Sequence, residues 1–561
     1  MEIKNLQFRA PARILTLIVT VYLLVMFNGR FFRTVYELHG IGGVDSWLYI
    51  ISLFFFLAVL INFSLTILAI PWLLKPTLIF ILIVSSLTCY FMETYNILID
   101  KTMIQNTMET DIRESWELLS FNLLTFVGLS GLIPAALVWK IKIDYGNSRG
   151  FALEKLLISI ITILIAGFIA LLFYQDYASL FRNHRYIRDL IVPVNYVHSL
   201  NAYAKQFLPK NTPEFQSIGL DAHVTESWGL PTDKKVVTVI VVGETARSAN
   251  FSLYDYPRAT NPELKRHDII SFSQVSSCGT STAVSLPCMF SHEGRDIYNE
   301  RQARNSDNLL DILQRAGLEA VWIDNNSGCK GVCNRIKHLN VSPGDNINFC
   351  KGAECYDMVL ISKLQQAIES SEKNMVIVMH QVGSHGPAYF LRTPEEFQKF
   401  KPFCHTNQLQ ECSQQEIINA YDNTILYTDH VLSAVIDFLD SRKNVLDASM
   451  LYVSDHGESL GENNLYLHGI PYFMAPEEQT HVPMILWLSN NFAKRFSIDK
   501  TCLQNKRQER LSHDNLFDSM IGMLGVQTSI YQRERDIFDS CRGANSTDFP
   551  LAKHQASKGV E

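Results

Sequence analysis

The segment VVTVIVVGET, residues 236–245, sets the architecture of the second half of the chain. An unbroken apolar and β-branched run ends here in Gly243, Glu244 and Thr245. A short run without polar alternation is typical of a strand that is buried on both faces of a sheet. The segment therefore predicts a central strand whose end presents polar side chains.

Four further runs of this kind follow along the chain: LEAVWI (318–323), NMVIVM (374–379), ASMLYV (448–453) and VPMILWL (482–488). Helical patterns at 306–316 and 415–440 alternate with them. This alternation predicts a soluble α/β domain over residues 235–561, with a central, mainly parallel sheet flanked by helices.

Polar residues come directly after four of these strands, and we expect them to meet, because ligands bind beyond the carboxyl ends of strands in open α/β sheets. A single carboxylate after a strand is more often a helix-start residue. Together, however, the clusters supply oxygen and imidazole ligands that suit Zn²⁺ or Mn²⁺. We predict one metal ion, and a second is the alternative. The candidate ligands are Glu244, Asp455, His385, His456 and His468.

The segment SCGTSTAVSLPCMF, residues 277–290, is the candidate nucleophile loop. Its two cysteines would clamp a hydroxyl-rich turn that leads into a helix. A hydroxyl at a helix N-terminus can carry a phosphoryl group, and a metal can activate it as a nucleophile. Helix capping is the alternative role for these hydroxyls, and the spacing leaves both Thr280 and Thr282 open as the nucleophile.

Ten of the 11 cysteines lie after residue 175, and Cys89 is the exception. Disulfides and metal-binding thiolates are both compatible with close pairs, but none of the pairs has the C-x2-C spacing of a zinc ribbon. We favour disulfides and an oxidising compartment. Proximity along the chain predicts the pairs Cys278–Cys288, Cys329–Cys333, Cys350–Cys355, Cys404–Cys412 and Cys502–Cys541.

The first 175 residues contain five uncharged apolar stretches near the length of about 20 residues that a spanning helix needs. They predict a transmembrane domain, 1–175, with helices at about 14–29, 46–70, 76–92, 118–139 and 156–175. Lys4, Arg9 and Arg13 precede the first stretch, and no small-residue cleavage site follows it, so we expect a retained anchor.

Loop charges predict the orientation. The N-terminus and the segment 140–155 are rich in Lys and Arg, whereas the loop 93–117 is acidic. The positive-inside rule places the former in the cytoplasm, so an odd number of spans exports the soluble domain. The segment 176–234 is expected to form interfacial helices and a linker. With a net charge of −7 and no basic block, the chain is not expected to bind nucleic acid.

Several long motifs resemble the bacterial phosphoethanolamine transferases that modify lipid A, a family that includes the intrinsic and mobile colistin-resistance enzymes and belongs to the alkaline phosphatase and sulfatase superfamily. The motifs are VVGETARSANFSLYDYPRATNPEL (241–264), CGTSTAVSLPCMFS (278–291), DNNSGCKGVC (324–333), QVGSHGP (381–387) and SDHGESLGENNLYLHG (454–469).

The resemblance implies a role for individual residues. Zinc would be held by Glu244, Thr282, Asp455 and His456, and Thr282 would be the nucleophile. Glu458, His385 or His468 would serve as general acid or base, and the two histidines are also the candidates for a second zinc. The implied substrate-binding residues are Thr280, Asn326, Ser327, Lys330 and, on the membrane side, Glu109.

The resemblance further implies transfer of phosphoethanolamine from phosphatidylethanolamine to a phosphate of lipid A through Thr282, with release of diacylglycerol and resistance to polymyxin. The expected location is the inner membrane of a Gram-negative bacterium, with the catalytic domain in the periplasm, and we expect a monomer. The alternatives are transfer to a core sugar or glycan, a phosphoglycerol transferase, a sulfatase, for which CGTSTA lacks the usual modified Cys or Ser, and a membrane-anchored pseudoenzyme.

Overall fold

The computed structural model describes residues 9–39, 44–109, 116–205, 207, 214–225, 228, 234–342, 344, 347–351 and 354–543. Lys4 and, within the predicted segment 176–234, residues 206, 208–213, 226–227 and 229–233 lie outside them. The chain forms two compact units, Met1–Gln105 with Leu119–Lys205, and Asn106–Leu118 with Gln206–Glu561.

The first unit is helical. Among its described residues, four helical stretches are long and apolar enough to cross a membrane, or five if a bent pair near the N-terminus counts as one span. The helices are Ala12–Phe27, Gly29–His39, Val44–Ile67, Leu74–Tyr95, Phe121–Val127, Ile133–Lys140, Ser148–Leu172, Tyr174–Asn183 and Val194–Lys205, with a π-helical turn at Gly128–Leu132 and a 3-10 helix at Arg185–Leu190. Lys101–Glu109 runs from this unit into the second, and Arg9–Pro11 pairs in parallel with Lys142–Asp144.

The first predicted span corresponds to the bent pair, in which the helix axis turns by 61° between Ala12–Phe27 and the following helix. The buried side chain of Asn28 stabilises the break. Its amide nitrogen donates to Leu23 O at 3.0 Å, and its oxygen accepts from Val192 N at 2.9 Å. The amide thereby joins the helix before the break to the backbone of Val192.

The second unit is built on an eight-stranded sheet. In chain order the strands are β1 (Lys235–Gly243), β2 (Ile269–Ser276), β3 (Glu319–Asp324), β4 (Lys337–Asn340), β5 (Met375–His380), β6 (Leu446–Ser454), β7 (His481–Leu488) and β8 (Leu511–Ser512). Their spatial order is β8-β2-β7-β6-β1-β5-β3-β4, and β7 alone in this sheet runs antiparallel to its neighbours. The five strands expected from sequence are all present, and the sheet is mainly parallel as predicted.

Strand β2 was not expected, because its sequence IISFSQVS alternates in burial and has no continuous apolar run. Strands β4 and β8 have only four and two residues, so they carry little sequence signal.

Helices cover the sheet, and a separate buried apolar cluster lies on each face. The longest is Gln414–Ser441, which begins at a capping box formed by Ser413 and Glu416. The others are Thr282–Met289, Glu300–Arg304, Leu309–Arg315, Val359–Glu369, Glu477–Thr480, Asn490–Arg495, Lys500–Asn505 and Asp514–Met523.

Short two-stranded pairs and five disulfides complete the second unit. The pairs are His223–Val224 with Val526–Gln527, Cys350–Lys351 with Glu354–Cys355, and Ser459–Leu460 with Tyr466–Leu467. The disulfides join the same five pairs that proximity along the chain predicts, and Cys89 is a buried free thiol.

Candidate functional site

Thr282 lies at the carboxyl edge of the sheet, as the first residue of the helix Thr282–Met289. Its hydroxyl oxygen is 3.1 Å from each carboxylate oxygen of Glu244 and 3.3 Å from Nε2 of His456. Glu244 follows β1, and His456 comes two residues after β6, so adjacent parallel strands bring these side chains together. The structure thus places Thr282, and not Thr280, among the candidate metal ligands.

The group Glu244, Asp455 and His456 has the geometry of a site for one metal ion. All three are buried, and one potential ligand atom from each lies within 4.8 Å of the others. Nδ1 of His456 is 2.9 Å from the carbonyl of Gly457, which orients the ring so that Nε2 faces Glu244 and Thr282. Oδ2 of Asp455 is buried and has no hydrogen-bond partner among the described residues.

Electrostatics also fit a cation at this position. Burial and the neighbouring Glu244 carboxylate raise the pKa of Asp455 above its ordinary value. Two carboxylates in a dry environment need positive charge between them or beside them to stay ionised. These donors form the hard-oxygen and imidazole set that zinc binds in proteins.

Close backbone packing fixes Glu244. Gly383, in the HQVGSH segment after β5, has a φ of +54°, and a Cβ there would lie 2.7 Å from the carbonyl oxygen of Glu244. Any larger residue would both strain the backbone and displace Glu244. Ser384 N also donates to Glu244 O at 3.0 Å.

A cavity of about 40 Å³ opens beside Thr282. Six of the sequence-predicted residues line it in addition to Thr282 and Glu244: Glu109, Asn326, Ser327, Lys330, His385 and His468. Asn326 donates to Oε2 of Glu244 at 2.8 Å, and Lys330 donates to Ser327 Oγ at 3.0 Å. The hydroxyl of Thr280 instead donates to the carbonyl of Ile470 at 2.7 Å and is buried.

The predicted general acid–base residues form one contact chain. Nδ1 of His468 lies 2.8 Å from Oε2 of Glu458, whose Oε1 accepts a 2.6 Å hydrogen bond from Tyr389. Glu458 is fully buried, whereas the His468 side chain is 18% exposed. The ring centroids of His385 and His468 are 5.5 Å apart, and burial lowers the pKa of His385 to about 3.

Glu109 belongs to the same compact unit as these residues. Its carboxylate pairs with Arg304 at 3.0 Å, and its carbonyl accepts from Lys330 at 3.2 Å. Arg304 had no predicted role, because a lone arginine on a short helix carries no motif.

Sequence reasoning also missed a buried pair beneath the site. Nδ1 of His380 lies 3.2 Å from Oδ1 of Asp324, and its Nε2 lies 4.0 Å from Oε2 of Glu244. Asp324 and His380 are register partners at the ends of β3 and β5. Both residues come directly after runs that were predicted as strands, so their shared position at the sheet edge was the signal.

Comparison with known proteins agrees with this architecture. The sulfatase family matches residues 237–526, and the phosphoethanolamine transferase EptA/EptB family matches residues 57–208. Phosphoethanolamine transferase EptA of Salmonella typhimurium is 42% identical over 94% of this chain and 96% of its own. Phosphatidylethanolamine transferase Mcr-2 of Escherichia coli is 37% identical over 91% of this chain and 94% of its own.

A solved structure shares the whole fold. The integral membrane lipooligosaccharide phosphoethanolamine transferase A of Neisseria meningitidis has a TM-score of 0.91 at 36% identity, over 95% of this chain and 99% of its own. Sequence and structure thus match along both the membrane-spanning and the soluble unit, and the chain belongs to the phosphoethanolamine transferase family of integral membrane enzymes.

Proposed function

We propose that this enzyme transfers phosphoethanolamine from phosphatidylethanolamine to a phosphate group of lipid A, through a covalent intermediate on Thr282. The observation that supports this most is the position of the Thr282 hydroxyl, 3.1 to 3.3 Å from Glu244 and His456 at the start of a helix. A phosphoryl group on this oxygen would face the backbone N–H groups of that helix end.

In the first step, the Thr282 oxygen attacks phosphorus, its proton passes to the Glu244 carboxylate 3.1 Å away, and the bond to the diacylglycerol oxygen breaks. His468 faces the cavity and is oriented by Glu458, so we assign it the delivery of a proton to the departing diacylglycerol. Lys330 and Asn326 would bind phosphoryl oxygens. In the second step a protonated acceptor phosphate oxygen attacks phosphorus and gives its proton to His468, the bond to Thr282 breaks, and Glu244 returns the proton to the Thr282 hydroxyl.

The proposed cofactor is one zinc ion held by Glu244, Thr282, Asp455 and His456. When bound, zinc lowers the pKa of a coordinated hydroxyl and withdraws charge from phosphoryl oxygens. His385 and His468 are the proposed ligands of a second zinc. Two equivalents of tightly held zinc in the purified protein would assign these rings to metal binding, whereas one equivalent would favour the proton-transfer role of His468.

We further propose that the catalytic unit lies in the periplasm of a Gram-negative bacterium, that the protein acts as a monomer, and that its activity confers polymyxin resistance. Every proposed site residue comes from one chain, so no second copy is needed to complete the site. An added ethanolamine brings an ammonium group to lipid A and reduces the attraction of cationic peptides.

Thr282→Ala tests the covalent step. The variant in nanodiscs should release no diacylglycerol from phosphatidylethanolamine, whereas the unchanged protein, given no acceptor, should gain the mass of one phosphoethanolamine on the peptide that contains Thr282. Thr282→Ser, which keeps a hydroxyl, should retain part of the activity. Full diacylglycerol release by Thr282→Ala would refute the proposal.

Mass spectrometry of lipopolysaccharide tests the acceptor. Cells that express the protein should carry phosphoethanolamine on the lipid A fragment and show a higher inhibitory concentration of polymyxin, and cells with Thr282→Ala should show neither. If the phosphoethanolamine were found on a core sugar fragment instead, the protein would be a core transferase, which is the alternative function.

A further inference from the structure

Two large apolar side chains protrude from loops beside the catalytic cleft. Phe473 is 76% exposed in the loop 469–475, and Ile297 is 71% exposed in the loop 294–299. The two loops are neighbours, because the guanidinium of Arg295 lies 3.1 Å from the centre of the Tyr472 ring. Neighbouring exposed apolar side chains mark surfaces that contact another molecule or a membrane.

Both loops are fixed to the segment that carries Thr282. Gly469 N donates to the carbonyl of Thr280 at 2.8 Å, and Arg295 Nε donates to the carbonyl of Cys278 at 3.1 Å. Met474 N closes a turn on Pro471 O at 2.8 Å. The two side chains therefore hold a defined position relative to the nucleophile loop.

A third exposed apolar side chain, Met108, lies in the same compact unit, next to Glu109, which lines the cavity. Glu109 pairs with Arg304, whose helix follows the Ile297 loop directly. An exposed apolar side chain thus also adjoins Glu109, which lines the cavity. We call Ile297, Phe473 and Met108 the apolar rim.

The chemistry of the rim favours a lipid surface as its partner. The same chain contains four to five helices that can span a membrane, so a bilayer is always available to it. An aromatic residue and long aliphatic residues beside arginine are the side chains that proteins place at a membrane interface.

We propose that the apolar rim contacts the acyl and glycerol region of membrane phospholipid and guides the donor headgroup toward Thr282. This inference rests on the proposed function, since it concerns how a lipid donor reaches the nucleophile. Contact with the bilayer raises the local donor concentration at the cleft.

Photocrosslinking of the full chain tests the contact directly. Benzoylphenylalanine is placed at position 473, 297 or 445 of Thr282→Ala protein, in nanodiscs of phosphatidylcholine and phosphatidylethanolamine that carry tritium in their acyl chains. Val445 is the matched control, because it is 60% exposed but precedes β6, at the opposite edge of the sheet from the cleft.

Positions 473 and 297 should take up tritium several-fold more than position 445. Equal labelling at all three positions, or crosslinks from 473 to a second copy of the chain in place of lipid, would overturn the proposal. The result does not depend on turnover, because Thr282 is absent and a phosphoethanolamine adduct would carry no tritium.

Kinetics separate lipid contact from a structural role. In Ile297→Ser/Phe473→Ser protein, the rate with bilayer phosphatidylethanolamine should fall several-fold more than the rate with a water-soluble phosphoethanolamine ester that lacks acyl chains. Val445→Ser should leave this ratio unchanged. A general structural defect lowers both rates together, and that outcome would refute the contact. If the unchanged protein uses neither donor, the proposed function fails, while the crosslinking result stands by itself.

Discussion

The contact between Nδ1 of His456 and the carbonyl of Gly457 illustrates how single residues prepare this site. A neutral imidazole carries its proton on one nitrogen, and the carbonyl can only accept. In the neutral ring that a metal ion requires, the proton would therefore lie on Nδ1, and the lone pair of Nε2 would face Thr282. One backbone oxygen thereby prepares the buried ring of His456 to bind a metal ion.

The same reasoning gives a prediction for His380, which is not itself a proposed metal ligand. Its Nε2 lies 4.0 Å from the carboxylate of Glu244, which is one. His380→Ala removes the ring between Asp324 and Glu244 and leaves both carboxylates without that neighbour. We expect zinc affinity to fall by about tenfold to a hundredfold, the usual effect of losing a partner of a metal ligand. Chelator competition on the purified full chain measures this directly.

His430→Ala is the matched control, because His430 also pairs with a carboxylate, Glu263 at 3.1 Å, but on the helix Gln414–Ser441. It should leave zinc affinity unchanged. Unchanged affinity in His380→Ala would show that the Asp324–His380 pair has no part in holding Glu244.

At the level of elements, the nucleophile loop combines a disulfide with a helix start. Cys278–Cys288 closes a 10-residue loop that contains Thr282. Cys502–Cys541 closes a 39-residue loop between the helix Lys500–Asn505 and the turn Asp539–Cys541, neither of which supplies a site residue. The two bonds are therefore suited to a paired test.

Chain entropy predicts that the first bond stabilises the fold by about 3 kcal/mol and the second by about 4 kcal/mol. Cys278→Ala/Cys288→Ala should thus lower the unfolding temperature less than Cys502→Ala/Cys541→Ala. The Cys278→Ala/Cys288→Ala variant should nevertheless lose far more turnover, because only the loss of the Cys278–Cys288 bond loosens the loop that holds Thr282. Thermal unfolding and diacylglycerol release, measured on both variants, check this. Equal losses of turnover would show that the clamp does not position Thr282.

At the level of the whole molecule, buried carboxylates make the stability of the second unit depend on pH. Burial raises the pKa of Asp518 to about 7. Its Oδ1 accepts from Gln532 N at 2.8 Å, while Oδ2 has no hydrogen-bond partner in the described part of the chain. The folded state therefore holds this proton more tightly than the unfolded state does.

The contribution of Asp518 to folding is therefore most favourable below about pH 4 and declines as pH rises to about 7, at up to about 1.4 kcal/mol per pH unit. Asp518→Asn should remove this part of the decline, as read from unfolding temperatures between about pH 4 and pH 8. Asp437→Asn is the control, because that side chain is 72% exposed, and its profile should match the unchanged protein. An unaltered slope in Asp518→Asn would contradict the assignment.

Much of this molecule follows from sequence patterns alone, because burial imposes them locally. Continuous apolar runs mark strands covered on both faces, as in β1 and β5, and long uncharged runs mark helices that can span a membrane. The motif residues after the strands identify the family. Strand β2 was not predicted, because its buried and exposed side chains alternate and it therefore has no continuous apolar run.

Only the tertiary structure decided which of these residues meet. Strand order places Glu244 and Asp455 side by side, although they are 211 positions apart in the sequence, and the helix start turns Thr282 toward them while Thr280 bonds to Ile470. The Asp324–His380 pair, the Arg304–Glu109 contact and the apolar rim are also products of the fold. Their physical reason is the same: such contacts join distant segments, and a linear pattern records what a residue is but not what packs against it.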